Sequence, residues 1–294
     1  MEKQIKKVLI ITNFNIYDKA NAALAVAEKF ASLGCEVCTL VYNKDKILRM
    51  NRPKPYFTFL AIEEAYQSVD AVIVLGGDGT ILESARRSAP FATPVLGLNL
   101  GRLGYMAELE VGEISELGRI VAGDYKIEKR SMLNIELLNN KGEVRKNEYA
   151  LNDAVISNGS ISRVVDLELY EGGVQIASYR SDGMIVATPT GSTAYSLAAG
   201  GAIVDPRLCC LCVTPICPHS LHARPMIFPD SASIEIKNTC QREKNLFLTV
   251  DGRVNYDMTY GEAVRITRSP LTTFFIRLKD DSFYDRLRQK MNDK

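Results

Sequence analysis

The sequence lacks an excess of charge of either sign. Its 36 Lys and Arg balance 35 Asp and Glu, leaving a net charge of +1. No global electrostatic footprint for a nucleic acid or a membrane surface is present, and any anionic ligand must be met by a local site. Long apolar runs are also missing. No stretch reaches the ~18 consecutive apolar residues of a membrane span. The opening "MEKQIKKVLIITNFN" breaks at Asn13 and Asn15 after a run too short for a signal-peptide core. A cytoplasmic location is therefore expected. There is no internal repeat, no low-complexity tract, and no basic amphipathic helix of the kind that docks on lipid. GxxxxGK[ST] occurs nowhere, nor does a clean GxGxxG, so a nucleotide would have to be held by another architecture.

Cysteine is present but does not form a recognisable metal pattern. The total is seven, an odd number, and Cys209, Cys210, Cys212 and Cys217 cluster in "LCCLCVTPICPH" near His219 and His222. The spacing is neither a CxxC pair nor a usual zinc set. A buried strand that uses cysteine as a small apolar residue is the favoured alternative. His219 fits the satisfaction of a loop carbonyl better than contact with a ligand.

What is there divides in two. A chain of 294 residues suggests two domains. The first part alternates strand and helix signals. "KVLIIT" (7–12), "EVCTLV" (36–41), "DAVIVLG" (70–76) and "PVLGLNL" (94–100) are short apolar runs. Between the first two, "ANAALAVAEKFASLG" places Leu24, Ala27, Phe30 and Leu33 near helical period and stops at Gly34. "TILESARRS" is a second helix. Strands alternating with helices predict a parallel sheet covered on both faces. Near residue 128 the pattern changes to strands punctuated by turns such as "NNKG" and Gly172-Gly173, which predicts a mostly β, sandwich-like domain. Phe283, Leu287 and Met291 in "FYDRLRQKM" stand four apart, a helix expected to return to the first domain. The predicted domains are 1–128 with about 269–294, and 129–268.

Three stretches carry chemistry. "LGGDGTILESARR" (75–87) puts Gly76, Gly77, Asp78, Gly79 and Thr80 between a buried strand and a helix. Ligands of such sheets bind at the carboxyl ends of strands, and glycines there let backbone N–H groups approach a phosphate. A carboxylate beside phosphate is repelled unless it binds a metal or takes a proton from a hydroxyl nucleophile. The plain alternative is a strand-to-helix turn with Asp78 as cap. "RSDGMIVATPTGSTAYSLAAGGAIVDP" (180–206) reads Asp182-Gly183 as a turn and "MIVATP" as a strand. It then packs Thr190, Ser192, Thr193, Tyr195 and Ser196 into a loop rich in hydrogen-bonding hydroxyls. "ALNDAVIS" interrupts an apolar strand, 150–156, with Asn152 and Asp153. Adjacent strand residues face opposite sides, so one of the two faces inward and needs a partner, or the pair ends the strand in solvent.

Taken together, "VLGGDGTILESAR…PVLGLNLGRLGYMAELE", "ALNDAVI", "YRSDGMIVATPTGSTAYSLAAGGAIVDP", "TPICPHSLHARP" and "FYDRLRQKM" resemble the NAD kinases of the bacterial type, in that family's order, over roughly residues 68–290. The resemblance implies phosphorylation of the 2′-hydroxyl of the adenosine ribose of NAD. The donor is ATP, another nucleoside triphosphate or polyphosphate, and a divalent cation, Mg2+, arrives with it. It implies Asp78 as proton acceptor with Gly79 beside it, and Gly76, Gly77, Gly79 and Thr80 as the phosphate loop. Asn152 and Asp153 fall at adenosine contacts, and Arg163, Arg180 and Asp182 at positions lining the NAD site. Thr193, Ala194, Tyr195, Ser196, Leu197 and Ala198 correspond to the segment around the adenine and nicotinamide ends, and Arg253, after "VDG", to a further contact. Ala198 stands where the family often has serine, and Ala202 where it often has proline. A homodimer or homotetramer joined through the β-rich domain is implied as well, with no nucleic-acid or membrane partner. A non-catalytic dinucleotide sensor and a lipid kinase sharing the GGDGT turn are the alternatives.

Overall fold

The computed structural model describes residues 4–50, 55–101, 104–159, 164–241, 246–280 and 283–292. They divide into two units, 1–129 with 273–294, and 130–272. The chain leaves the first unit along the strand Lys126–Leu138 and re-enters it along Ala263–Arg277.

The first unit is built on a parallel sheet. Its strands run in the order Thr58–Leu60, Glu36–Leu40, Lys7–Ile11, Ala71–Gly76, Val95–Asn99. Leu109–Glu110 and Phe275 also pair parallel with the last of these. Ala71–Gly76 lies inside the sheet and is buried at every residue, which is why its sequence is apolar without alternation. The helix Tyr17–Ser32 buries Ala20, Ala23, Leu24, Ala27 and Phe30. It ends just before Gly34, whose φ of +82° is the left-handed conformation that closes a helix. The helix Asp78–Ser88 buries Ile81, Leu82 and Ala85. The C-terminal helix Phe283–Asn292 belongs to this unit, and the side chain it buries is Arg286; Met291, at the end of its apolar stripe, is exposed.

The second unit is a sandwich of two sheets. One runs Val174–Ser181, Val165–Glu171, Ile234–Asn238, Ala263–Arg277, Lys126–Leu138, Val144–Ala150; the other runs Met226–Pro229, Cys210–Ile216, Gly183–Ala187, Asp153–Asn158, Leu246–Val250, Val254–Met258. Every pairing in the second sheet is antiparallel. Leu133, Ile135, Leu167 and Ile236 from the first sheet meet Ile156, Met184, Val186 and Leu248 from the second in one core. The far face of the second sheet is covered too. Val155, Ile185, Ala187, Cys210 and Cys212 form a further apolar cluster there. Cys210 and Cys212 are thus the small apolar strand residues that their spacing suggested, while Cys209 and Cys217 are exposed.

One buried charge organises the first unit around its C-terminal strand and helix. The Glu108 side chain is fully buried. Its Oε1 accepts the backbone N–H groups of Leu278 and Lys279, each at 2.7 Å. Its Oε2 accepts Arg277 at 3.1 Å and lies 3.5 Å from the Arg286 guanidinium. Arg277 also donates to the Met106 carbonyl at 3.2 Å and to Glu128. Removing Glu108 takes from the buried Arg277 and Arg286 guanidinium groups the carboxylate they share. Glu108→Ala is therefore expected to lower the unfolding free energy by about 3–5 kcal/mol. Urea unfolding followed by circular dichroism measures it, and a loss below ~1 kcal/mol would count against this network as an anchor.

Candidate active site

In the first unit the strand Ala71–Gly76 runs straight into the helix Asp78–Ser88, with Gly77 as its N-cap. Asp78 is not the cap. It is the first helical residue, and its carboxylate is bonded to a different segment. Oδ2 accepts the N–H of Tyr105 at 3.0 Å and Oδ1 that of Met106 at 3.2 Å. The carboxylate lies where a Cβ on residue 104 would stand, so Gly104 is the seat on which Asp78 rests. Gly76 is fixed similarly, since a Cβ there would come within 2.9 Å of the Thr80 side chain. Beyond their chain neighbours and the helix's own backbone, Gly77 and Gly79 have no described atom within 4 Å of where a Cβ would be, and neither has a positive φ. At these two positions the missing side chain leaves the backbone open to close approach instead of serving a turn.

Asp78 remains about one-third exposed, and the ammonium of Lys290 stands 3.9 Å from its Oδ2. The same ammonium lies 3.9 Å from the centroid of the Tyr105 ring. Partial burial, and then the nearby Asp78 charge, push the Tyr105 hydroxyl's pKa upward.

In the second unit Asn152 and Asp153 do not interrupt a strand. Asn152 precedes it and Asp153 opens it, as Asp153–Asn158. Their backbone is held by Asp251, on the turn after Leu246–Val250 at φ +48°. Its Oδ1 accepts the N–H groups of Asn152 (2.8 Å) and Asp153 (3.1 Å), its Oδ2 that of Leu151 (3.0 Å), and its own N–H donates to the Asp153 carbonyl at 3.0 Å. The Asp153 side chain is only 5% exposed. Burial first, and the Asp251 charge second, push its carboxyl up to about 7. The loop after Gly183–Ala187 packs on the same backbone. Thr188 donates its hydroxyl to the Leu151 carbonyl at 2.6 Å and its N–H to the Asn152 carbonyl at 2.9 Å. A Cβ at Gly191 would land on the Asn152 backbone. Two stretches that are separate in sequence are one structure here.

The hydroxyls of that loop are less available than their number suggests. Ser192 is buried, donates to the Pro189 carbonyl at 2.7 Å and accepts the Val204 N–H at 3.0 Å. Ser196 is buried against Thr214 at 3.0 Å. Thr190 accepts Arg130, and Thr193 bonds back to the Thr190 carbonyl. Tyr195 and Ala198 are exposed, with Ala194 and Leu197 half-buried. The loop therefore offers a ligand Tyr195 and backbone; the Ser196 hydroxyl serves the fold. Asp182 is a one-residue bend between two strands, not half of a turn with Gly183, which opens the next strand. Arg180 and Asp182 are exposed. Because Ala187 pairs with Asp153 while Gly183 pairs with Ser157, they sit a strand's length away from Asp153, about 15 Å. His219 is exposed, and its backbone N–H donates to the Arg180 carbonyl at 2.9 Å. Arg253 is exposed on the turn that holds Asp251. Arg163 lies outside the described residues. Gly104, Tyr105, Asp251 and Lys290 were not singled out as site residues in the sequence. "LGYM" and "VDG" were legible only as neighbours of other motifs.

Residues 8–125 match the family model for the ATP-NAD kinase N-terminal domain and residues 151–278 that for the ATP-NAD kinase C-terminal domain. The chain belongs to the NAD kinase family. Among its NAD kinase relatives, one from Carboxydothermus hydrogenoformans is 45% identical over 233 residues, 79% of this chain and 82% of its own length. One from Desulforamulus reducens is 35% identical over 276 residues, 94% of both chains. Solved NAD kinase structures share the fold. The yeast NADH kinase complexed with NADH has a TM-score of 0.90, covering 99% of this chain and 89% of that one, at 24% identity. An Archaeoglobus fulgidus NAD kinase in complex with ATP has a TM-score of 0.72 and covers 97% of each chain, also at 24% identity.

The Asp153 environment gives a prediction with a definite sign. An unfolded Asp titrates near 3.9, whereas folded Asp153 holds its proton up to about 7. Between those values the folded state binds more protons than the unfolded one, so this group's contribution to stability falls as pH rises through the window and levels off above it. In Asp153→Asn that loss is absent. The variant's stability relative to the parent should grow from pH 5 to pH 8 by on the order of 1 kcal/mol or more. Urea unfolding of both proteins at the two pH values tests it, and parallel pH dependences would mean that Asp153 ionises normally.

Proposed function

We propose that this chain transfers a phosphoryl group from ATP, another nucleoside triphosphate or polyphosphate to the 2′-hydroxyl of the adenosine ribose of NAD, making NADP. The observation that carries the reading is the Asp78 carboxylate, at the carboxyl end of a buried parallel strand and oriented by two backbone N–H groups. Each carboxylate oxygen has two lone pairs. One backbone N–H on each leaves Asp78 able to accept a hydroxyl proton while its direction stays fixed. A sensor that only binds a dinucleotide has no use for a carboxylate next to phosphates, where it costs binding. Family membership favours the kinase reading over a lipid kinase as well.

The remaining roles follow from chemistry unit by unit. The N–H groups at the start of the helix Asp78–Ser88, with Gly77 and Gly79 open beside them, suit the phosphates of the donor, because a helix N-terminus carries partial positive charge. Asn152 and Asp153, held rigid through Asp251, suit the adenosine, and Tyr195 and Arg253 are exposed for further contact. Among the described residues no three His, Cys, Asp or Glu converge as a metal cage. We assign the divalent ion to the donor's phosphates, where Mg2+ keeps most of its waters. A homodimer or homotetramer working in the cytoplasm completes the proposal. No helix among the described residues is long and apolar enough to cross a membrane.

The test is direct. Protein incubated with NAD, ATP and Mg2+ should accumulate NADP, and replacing ATP by polyphosphate identifies the donor. Asp78→Asn, which keeps one of the two acceptor oxygens, should lose about two to four decades of turnover, the usual worth of a general base, with circular dichroism verifying that it folds. Intact NAD binding without any turnover by the parent protein would instead favour the sensor.

A further inference from the structure

Lys290 reaches Asp78 from the C-terminal helix Phe283–Asn292. Its Nζ stands 3.9 Å from Asp78 Oδ2, beyond hydrogen-bond range. It also stands 3.9 Å over the face of Tyr105, a cation–π seat that holds the charge without using its N–H groups on an acceptor. The side chain is about one-third exposed. The ammonium therefore stands beside the carboxylate at more than hydrogen-bond distance from it.

Its delivery to that point is built into the fold. Arg286 lies one turn earlier on the same helix face, is buried, and pairs with Glu108. Glu108 also holds Arg277, which donates to the Met106 carbonyl, and the Met106 N–H holds Asp78. The network that orients Asp78 is the same one that docks the helix carrying Lys290.

We propose that Lys290 is a catalytic residue of the phosphoryl transfer, its ammonium donating to the oxygens of the transferring phosphoryl group; the inference rests on the kinase reading above. As the ribose oxygen bonds to the terminal phosphorus, the bond from that phosphorus to the bridging oxygen breaks, and the leaving phosphate chain keeps the electron pair. Asp78 takes the hydroxyl proton and later returns it to solvent, and Lys290 stays protonated throughout. The physical need is plain. Asp78 and the donor's phosphates repel each other. Backbone N–H groups answer with partial charges only, whereas Lys290 adds a whole positive charge where negative charge is concentrated.

Lys290→Met, Lys290→Gln and Lys290→Arg test this, with thermal unfolding to verify folding. The neutral variants should lose about 10–100-fold in kcat, the scale of one preorganised charge or donor, with KM for NAD within about twofold. Arg should restore most of the loss, since it keeps the charge. Tripolyphosphate titrated without metal should bind the neutral variants several-fold more weakly than the parent or the Arg variant. Neutral variants within twofold of a parent that makes NADP would overturn the role of Lys290 and leave the kinase reading standing. A loss that Arg does not restore would also overturn it, by assigning Lys290 to structure. A parent that binds NAD but forms no NADP overturns both.

Discussion

A carboxylate proposed to take a proton beside phosphates works against electrostatics from the start. It must be held in place, kept at the site and compensated. In this chain the holding is done by two backbone N–H groups, those of Tyr105 and Met106, on the two oxygens of Asp78. Much of the first unit follows from that clamp. Residue 104 must be glycine because the carboxylate occupies the space of its Cβ. The segment after it must be rigid, and it is anchored through the Met106 carbonyl to Arg277 and through buried Glu108 to Arg277 and Arg286. The C-terminal strand and helix are thereby part of the site's support, although they lie about 200 residues from Asp78 in the chain.

The fold was legible where burial imposes a period. The all-apolar run Ala71–Gly76, the helix Tyr17–Ser32 with its stop before Gly34, and the alternating strands Ile234–Asn238 and Leu246–Val250 all announce themselves. The helix Lys44–Arg49 and the edge strand Thr58–Leu60 did not, being too short for a period to show. Asp78 draws attention in the sequence because a charge among glycines after a buried strand has few purposes. Its partners do not, because the groups that hold it are main-chain N–H groups, which any residue but proline carries. The hydroxyl-rich loop misled in the other direction. Ser192 and Ser196 read as ligand donors but are turned inward, and composition alone does not separate a hydroxyl that faces a ligand from one that closes a loop.

Lys290 illustrates a related limit. Four-residue spacing marked Phe283, Leu287 and Met291 as the meaningful face of the last helix. The side chain that helix buries is instead Arg286, because Glu108 supplies a counterion in the interior. A charged residue at helical spacing is read as a solvated face unless its partner is known, and here the partner comes from a segment far away in sequence.

The two units solve the same problem with the same device and arrive at opposite uses. Asp78 and Asp251 are both carboxylates held by backbone N–H groups of a distant segment. Asp251 is buried and accepts three of them, from Leu151, Asn152 and Asp153. Its acceptor capacity is directed into the fold, so what it contributes is rigidity in the Asn152–Asp153 backbone and, after burial, a second push through its charge toward retention of the proton on Asp153. Among the described residues Asp78 accepts two, and it is one-third exposed with a cation at 3.9 Å. The difference of one hydrogen bond and of solvent access separates a carboxylate that builds the structure from one that has capacity left for a substrate proton. For that reason chemistry is proposed for Asp78 and architecture for Asp251, although both stand next to glycine in the sequence.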